Sequence, residues 1–336
     1  MINFNSVKKI LRYQNWWNFV VPPLFSFIYL AIYLKEIEFY DSAELLGLIF
    51  VCIVGTAGFG YFLNDVSDIK FDEIAGKNNF ASKLSVRSRA LIIFLLLIIA
   101  FIPWYFLPVS YINFGLFLLQ LLLLTIYSVK PIRLKNNIYL GVFADALYSG
   151  TIFILVIIST FHLLNVKRLP DYSLFFFTIL AWAFFKGLRN ILLHQLNDRK
   201  NDKKSGFITF AINYKPVRTL YLINYVILPI ELVLFTLLII IISIKIKLYF
   251  VWFIAFILFT LIKFSFWKIP KLPYRQRLFK FLYFMNDFYE EWMPVITLVY
   301  LSVRNIYFII FLLLHIIIFS RGVKKFCIDL KYFVNK

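Results

Sequence analysis

Apolar residues in this chain gather into repeated runs of about twenty, the length that carries an α-helix across the hydrocarbon core of a bilayer. Of its 336 residues, 62% are hydrophobic and 16% charged, whereas a soluble domain is nearer half apolar and about a quarter charged. The runs are continuous rather than alternating, which excludes a transmembrane β-barrel. They predict an all-α, polytopic membrane helix bundle. Spans are expected near 15–34, 45–64, 89–107, 109–128, 138–160, 173–197, 217–244 and 248–267, with a longer tract over 278–319. That makes about nine transmembrane helices, or ten if Arg304-Asn305 divides the last tract. The first run, from Trp16 to Leu34, lacks a small-residue cleavage site and reads as a retained span. No soluble insertion interrupts the pattern, so residues 1–336 are expected to form a single domain.

The formal net charge is +19, a value that on a soluble chain would suggest nucleic acid. Here Lys and Arg concentrate in alternate loops, as orientation in a membrane and anionic lipid require, and no nucleic-acid partner is implied. With Lys8, Lys9 and Arg12 on the cytoplasmic side, the loops at 65–88, 129–137, 198–216 and 268–280 are cytoplasmic too. The chain is expected to be an integral, multi-pass protein of the cytoplasmic (inner) membrane. Trp16, Trp17 and Trp292 have the character of interface anchors. The cysteines, Cys52 and Cys327, offer neither a metal spacing nor a disulfide framework.

Acidic residues are scarce, and their placement is informative. Asp65, Asp68 and Asp72 stand at i, i+3 and i+7 at the end of the second apolar run, which puts them on one helix face. Gln195, Asp198 and Asp202 repeat the spacing at the end of the sixth run. Both groups fall on the cytoplasmic side. A solvated loop after a span is the plain explanation for either group alone. Together, five carboxylates facing one another need counter-cations to remain ionised. Two Mg2+ ions, which prefer oxygen ligands, would supply them and keep positions open for phosphate.

Basic residues surround these groups. The loop after the fourth span runs Tyr127-Ser128-Val129-Lys130-Pro131-Ile132-Arg133-Leu134-Lys135. Arg133 suits bidentate phosphate binding and Lys135 a point-charge contact; topological charge alone explains them equally well. Lys77, Arg199, Lys200 and Lys203 carry the same two readings. His194 is a candidate proton acceptor, though a polar residue at a helix end accounts for it. Asp145, within span five, is a functional candidate by its depth, either orienting an acceptor or pairing with Lys186 or Arg189. Asp287, Glu290 and Glu291 form a third acidic patch that reads as structural.

These residues, in this order, give the chain a resemblance to the UbiA superfamily of intramembrane prenyltransferases over nearly its whole length. Asn64, Asp65, Asp68 and Asp72 match the family's Asn-Asp-x-x-Asp-x-x-x-Asp in full. Asp198 and Asp202 match the second motif, Asp-x-x-Asp-x-x-x-Asp, with Gln195 in place of its first Asp. Gly206-x-x-Thr209 resembles the Gly-x-x-Thr that follows that motif. Tyr127-Ser128 with Pro131, Arg133 and Lys135 looks like the family's Tyr-Ser…Pro-x-Arg-x-Lys loop. The resemblance implies helices around a central cavity, in which two Mg2+ ions bridge the diphosphate of a polyprenyl donor. It implies Asp65, Asp68, Asp72, Asp198 and Asp202 as metal ligands, and Asp68, Asp198, Arg133 and Lys135 as the catalytic set. Asn64, Tyr127, Lys130, Lys77, Gln195 and Arg199 are implied in binding substrate. The chain departs from the family where many members carry Asn-Arg-Pro and it has Asn78-Asn79-Phe80; Lys77 or Lys83 would substitute for the missing base.

The expected reaction is transfer of the prenyl group to a lipophilic acceptor within the membrane. A terpene cyclase of the same family would share the ionisation and dispense with the acceptor. An ion-coupled transporter fits less well, because transporter sites sit near the bilayer midplane.

Overall fold

The computed structural model describes residues 4–74, 76, 78–164, 171–204, 206, 208–266 and 281–334, and these residues form helices and no strand. Among the described residues, eight helices are long and apolar enough to cross a membrane. After a short α1 (Phe4–Leu11) come α2 (Trp17–Lys35), α3 (Phe39–Ile74), α4 (Val86–Tyr105) and α5 (Tyr111–Ser128). They are followed by α6 (Ile138–Leu163), α7 (Tyr172–Lys204), α8 (Pro216–Ser243) and α9 (Tyr249–Phe266). The chain is an integral, multi-pass membrane protein.

The expected final tract is broken where Arg304 meets Asn305. Residues 284–304 form α10, Asn305 leaves helical geometry at φ −145°, and its side chain accepts from the Tyr307 N–H to start α11 (Ile306–Ile318). An amphipathic α12 (Arg321–Val334) follows. The reversal returns the tail to the end of α10 where it began. Arg321 there reaches Glu290 at 3.2 Å, and Lys325 pairs with Asp287. The third acidic patch therefore holds the basic tail, as its structural reading expects.

Two compact units divide the chain. One comprises 1–16, 43–164 and 179–232; the other comprises 17–42, 165–178 and 233–336. Within the second unit, α2 packs on α10, and the Tyr29 hydroxyl lies 3.2 Å from His315 Nδ1. The first unit contains every sequence-predicted site residue. Its packing depends on close backbone approach at two glycines. A Cβ on Gly55 would stand 2.4 Å from the Ala100 nitrogen, and one on Gly187 2.5 Å from the Ala146 carbonyl oxygen. Any larger residue would push α3 from α4 or α7 from α6.

The longest helix positions the chemistry. With 36 residues α3 extends about 54 Å, well beyond a hydrocarbon core of about 30 Å. Its last turns, carrying the first acidic motif, therefore emerge from the apolar layer as continuous helix. Trp16 does not serve as an interface anchor: it is 1% exposed, and its Nε1 donates to the Leu11 carbonyl at 2.7 Å.

Candidate active site at the ends of two long helices

The expected helical stacking of the first motif is present, and each carboxylate has a polar partner. Asp65 accepts from Arg12 Nη1 at 2.7 Å. Asp68 Oδ1 accepts from both Arg133 Nη2 and Lys135 Nζ, each at 2.6 Å. Asp72 accepts from the Asn79 amide at 2.8 Å, and the same Asn79 nitrogen donates to the Asp65 carbonyl at 2.8 Å. Asn64 Oδ1 receives Lys135 Nζ at 2.7 Å and the Ser128 hydroxyl at 3.3 Å. Asp65, Asp68 and Arg133 are buried, where an uncompensated charge would cost several kcal/mol.

Local backbone geometry brings Arg133 to this position. Its φ of 40° and ψ of 66° place a non-glycine residue in the left-handed region, a conformation costing roughly 1–3 kcal/mol. The guanidinium lies 4.1 Å from the centre of the Phe71 ring and donates through Nη1 to the Ser67 carbonyl at 3.3 Å. Its Nε is buried with no acceptor. Burial lowers the pKa of Lys135, and the nearby Asp68 carboxylate offsets part of that effect.

The second motif is more open. The Asp198 side chain is 46% exposed, with His194 Nδ1 at 3.2 Å from its Oδ2. Asp202 is half-buried. Gln195 Oε1 accepts from the Ala211 N–H at 3.4 Å, and Arg199 Nε donates to the Ala211 carbonyl at 2.7 Å. Tyr127 lies within Coulombic range of Asp68, Asp145 and Asp202, so both motifs face one region of this unit. Lys130 is exposed on its loop, and Lys77 lies outside the described residues.

The donors suit a hard divalent ion in kind, being carboxylate and amide oxygens. Among the described residues no group of three or more Asp, Glu, His or Cys side chains is arranged to hold one ion. The uncompensated Nε–H of Arg133 suits an anionic oxygen.

Three contacts were not expected from sequence. Arg12 looked like one topological charge among several; only the fold brings it to Asp65. Asp145 pairs with neither Lys186 nor Arg189. It accepts from the Tyr148 hydroxyl at 2.5 Å, while Arg189 makes a fully buried two-point contact with Glu231 at 2.6 and 2.9 Å. Glu231 lies alone in an apolar run, the signal that marks a charge with an intramembrane partner.

Paired carboxylate motifs thus end two of the long helices, with Arg133 and Lys135 drawn onto the first of them. The sequence matches the UbiA prenyltransferase family over residues 20–288, and the chain belongs to that family. Comparison with curated proteins gives no match. Among solved structures, the fold is similar to a UbiA homologue from Archaeoglobus fulgidus bound to DMAPP and Mg2+. That likeness has 15% identity, 85% coverage of this chain, 98% of the other and a TM-score of 0.56. The same homologue bound to GPP and Mg2+ gives 17% identity, 85% and 98% coverage and a TM-score of 0.57. A digeranylgeranylglyceryl phosphate synthase gives 18% identity, 88% and 98% coverage and a TM-score of 0.57. At these identities the likeness concerns the fold.

Proposed function

We propose that this protein is a Mg2+-dependent prenyltransferase that moves a prenyl group from a polyprenyl diphosphate to a lipophilic acceptor inside the membrane. The observation that carries the reading is the convergence of Arg133 and Lys135 on Asp68 Oδ1, each at 2.6 Å, with the Arg133 Nε–H unused. Two adjacent cations and a spare donor suit an anion larger than one carboxylate. The similar structures that hold DMAPP or GPP with Mg2+ support the donor class.

In this reading Arg133 and Lys135 bind the diphosphate at the polar end of the site, and the prenyl chain extends into the apolar interior. The donor's allylic C–O bond breaks, and its electron pair leaves on the diphosphate. Bound Mg2+, two ions in this reading, would neutralise charge developing on that leaving group. Asp65, Asp68, Asp72, Asp198 and Asp202 would hold the metal, with Asn64, Tyr127, Lys130, Lys77, Gln195 and Arg199 around the substrate. Aromatic faces such as Tyr127 and Tyr148, whose ring centres are 5.0 Å apart, stabilise the allylic cation. Exclusion of water protects it from hydrolysis. The acceptor then forms the new bond and loses a proton. The acidic motifs face the cytoplasm, and residues 1–336 act as one catalytic domain.

Thermal unfolding in detergent tests the proposal, with Mg2+, a non-hydrolysable prenyl diphosphate, both, or the diphosphate with EDTA. The five motif carboxylates repel diphosphate unless metal intervenes, so each ligand raises the other's affinity. Stabilisation by both beyond the sum of the separate shifts is expected. Equal stabilisation in EDTA would remove the metal bridge. A response to Mg2+ alone would favour an ion site.

A further inference from the structure

The basic tail carries a surface that prenyl transfer does not use. Its helix α12 is held against the end of α9 and the start of α10 by ion pairs within one unit. Arg321 reaches Glu290 at 3.2 Å, Lys325 pairs with Asp287, and Asp329 pairs with Lys263 of α9. Arg321, Lys325 and Asp329 stand at i, i+4 and i+8, so one stripe of the helix is fixed toward the protein. The Arg321 guanidinium also lies 4.2 Å from the centre of the Phe19 ring in α2. In this stripe cations and carboxylates compensate one another one for one.

Fixing that stripe decides what the rest of the helix presents. Lys324, Cys327, Ile328 and Lys331 stand at i, i+3, i+4 and i+7, which puts them on one face, and all four are exposed. Leu330 nearby is exposed as well. Among the described residues neither Lys324 nor Lys331 has a carboxylate within ion-pair distance. Two uncompensated lysines, about 10 Å apart along the axis, thus bracket an apolar centre.

The helix lies where α9 runs toward the loop at 268–280, which the charge pattern assigns to the cytoplasmic side. Anionic lipid concentrates in that leaflet. Bulk water would satisfy the lysines and leave Ile328 and Leu330 uncovered; an apolar protein surface would cover those two and bury unpaired charge. A lipid interface satisfies both, because apolar side chains enter the boundary below the head groups while lysine stems reach up to the phosphates.

We propose that the outer face of α12 is a docking surface for anionic phospholipid of the cytoplasmic leaflet, with Lys324 and Lys331 holding head-group phosphates on either side of Ile328. The surface is independent of the prenyltransferase reading above.

Cys327 supplies the probe, because it is exposed on this face while Cys52 is buried. The full chain, labelled at Cys327 with an environment-sensitive maleimide, is titrated in detergent with short-chain phosphatidylglycerol, with the matching phosphatidylcholine, and with inorganic phosphate. Only phosphatidylglycerol is expected to brighten and blue-shift the label, and high salt is expected to reverse the response. Lys324→Gln combined with Lys331→Gln is expected to raise the half-saturating concentration about 25-fold, on the scale of about fivefold for each cation removed from an anionic surface. The melting temperature of that variant in detergent alone should match the wild type, since neither lysine joins the ion pairs. Arg218→Gln, which removes an exposed cation of the other unit, should leave the titration unchanged. An equal response to phosphatidylcholine or to inorganic phosphate would overturn the proposal, as would an unchanged half-saturating concentration in the double variant. A signal that followed protein concentration instead of lipid would make a second copy of the chain the occupant, and would likewise overturn it.

Discussion

The two acidic motifs lie on corresponding stretches of chain, 130 positions apart, and differ in how their charge is balanced. Asp65, Asp68, Asp72, Gly76, Asn79, Phe80 and Ala81 correspond to Gln195, Asp198, Asp202, Gly206, Thr209, Phe210 and Ala211. Each helix ends at a left-handed glycine, with φ of 68° at Gly76 and 70° at Gly206, positions where a Cβ would be strained. Each is followed by a one-turn helix containing a fully buried alanine. Yet Asp65 and Asp68 of the first motif are buried and paired with Arg12, Arg133 and Lys135, while the second presents a half-exposed Asp198 beside His194. The same backbone device thus serves two ends. One motif draws Arg12, Arg133 and Lys135 onto its carboxylates, and the other leaves Asp198 half-exposed.

The sharpest test separates activity from stability at equivalent positions. Asp68→Ala and Asp198→Ala should each lower turnover by orders of magnitude, since each removes charge stabilisation worth several kcal/mol. Their effects on folding should diverge. Removing Asp68 leaves buried Arg133 and Lys135 without their shared anion, at a cost of about 3–5 kcal/mol. Removing the half-exposed Asp198 should cost no more than about 1 kcal/mol. Thermal melts of the two purified variants measure the difference. Equal destabilisation would break the contrast between a neutralised and an open motif.

Arg133 comes next in size. Arg133→Ala should weaken prenyl diphosphate binding by about 1.5–3 kcal/mol, the value of a hydrogen bond to a charged group. Acceptor binding should change little. Arg133→Lys should recover only part, because a lysine lacks the planar fork and the Nε–H. Titration of each ligand separately distinguishes this from a folding defect, which would weaken both.

Much of this arrangement was legible before the fold. Apolar run lengths placed the eight long helices to within a few residues at most ends, because bilayer thickness fixes them. The α3 and α7 helices were the exceptions, running past the expected ends at 64 and 197 to Ile74 and Lys204. Their motifs are too polar to register as span, and only the i, i+3, i+7 spacing indicated that the helices continued. The spacing also put three carboxylates on a common face, but it could not show which would be neutralised. Arg12 reaches Asp65 from 53 positions away and Arg133 reaches Asp68 from 65. Such contacts depend on tertiary packing, to which local periodicity is blind. Asp145 stood out for its depth.

Lys135 gives the first motif a pH dependence. Burial lowers its pKa below the ordinary 10.5, with Asp68 pulling the other way. Between the lowered value and 10.5 the unfolded chain binds the proton that the folded chain has released. Through this group, therefore, folding stability rises with pH across that window. Donor affinity should fall across the same window as the cation is lost. Lys135→Arg, charged throughout, should remove both trends. Melting temperature and donor affinity followed toward alkaline pH should thus move in opposite directions in the wild type. Parallel movement would place the titrating group elsewhere.

The smallest expected effect explains why the second motif has Gln195 where its counterpart has Asp65. In the first half the Ala81 N–H is capped by Asn79 Oδ1 at 2.9 Å. The corresponding residue in the second half is Thr209, whose Oγ1 is buried without a hydrogen-bond partner. There Gln195 extends from the motif helix to accept from the Ala211 N–H at 3.4 Å. An aspartate is one methylene shorter and would leave that N–H uncapped. Gln195→Asp alone should therefore cost about 1 kcal/mol of stability, the net value of one hydrogen bond. Thr209→Asn supplies the missing cap, so Gln195→Asp in that background should cost markedly less. The measurement is a double-mutant cycle on thermal or denaturant stability, with a coupling energy of about 0.5–1 kcal/mol expected for groups that share one partner. Strict additivity would show that Gln195 does not stand in for the amide of Asn79. The two halves would then differ at this position for a reason belonging to the substrate rather than to the backbone.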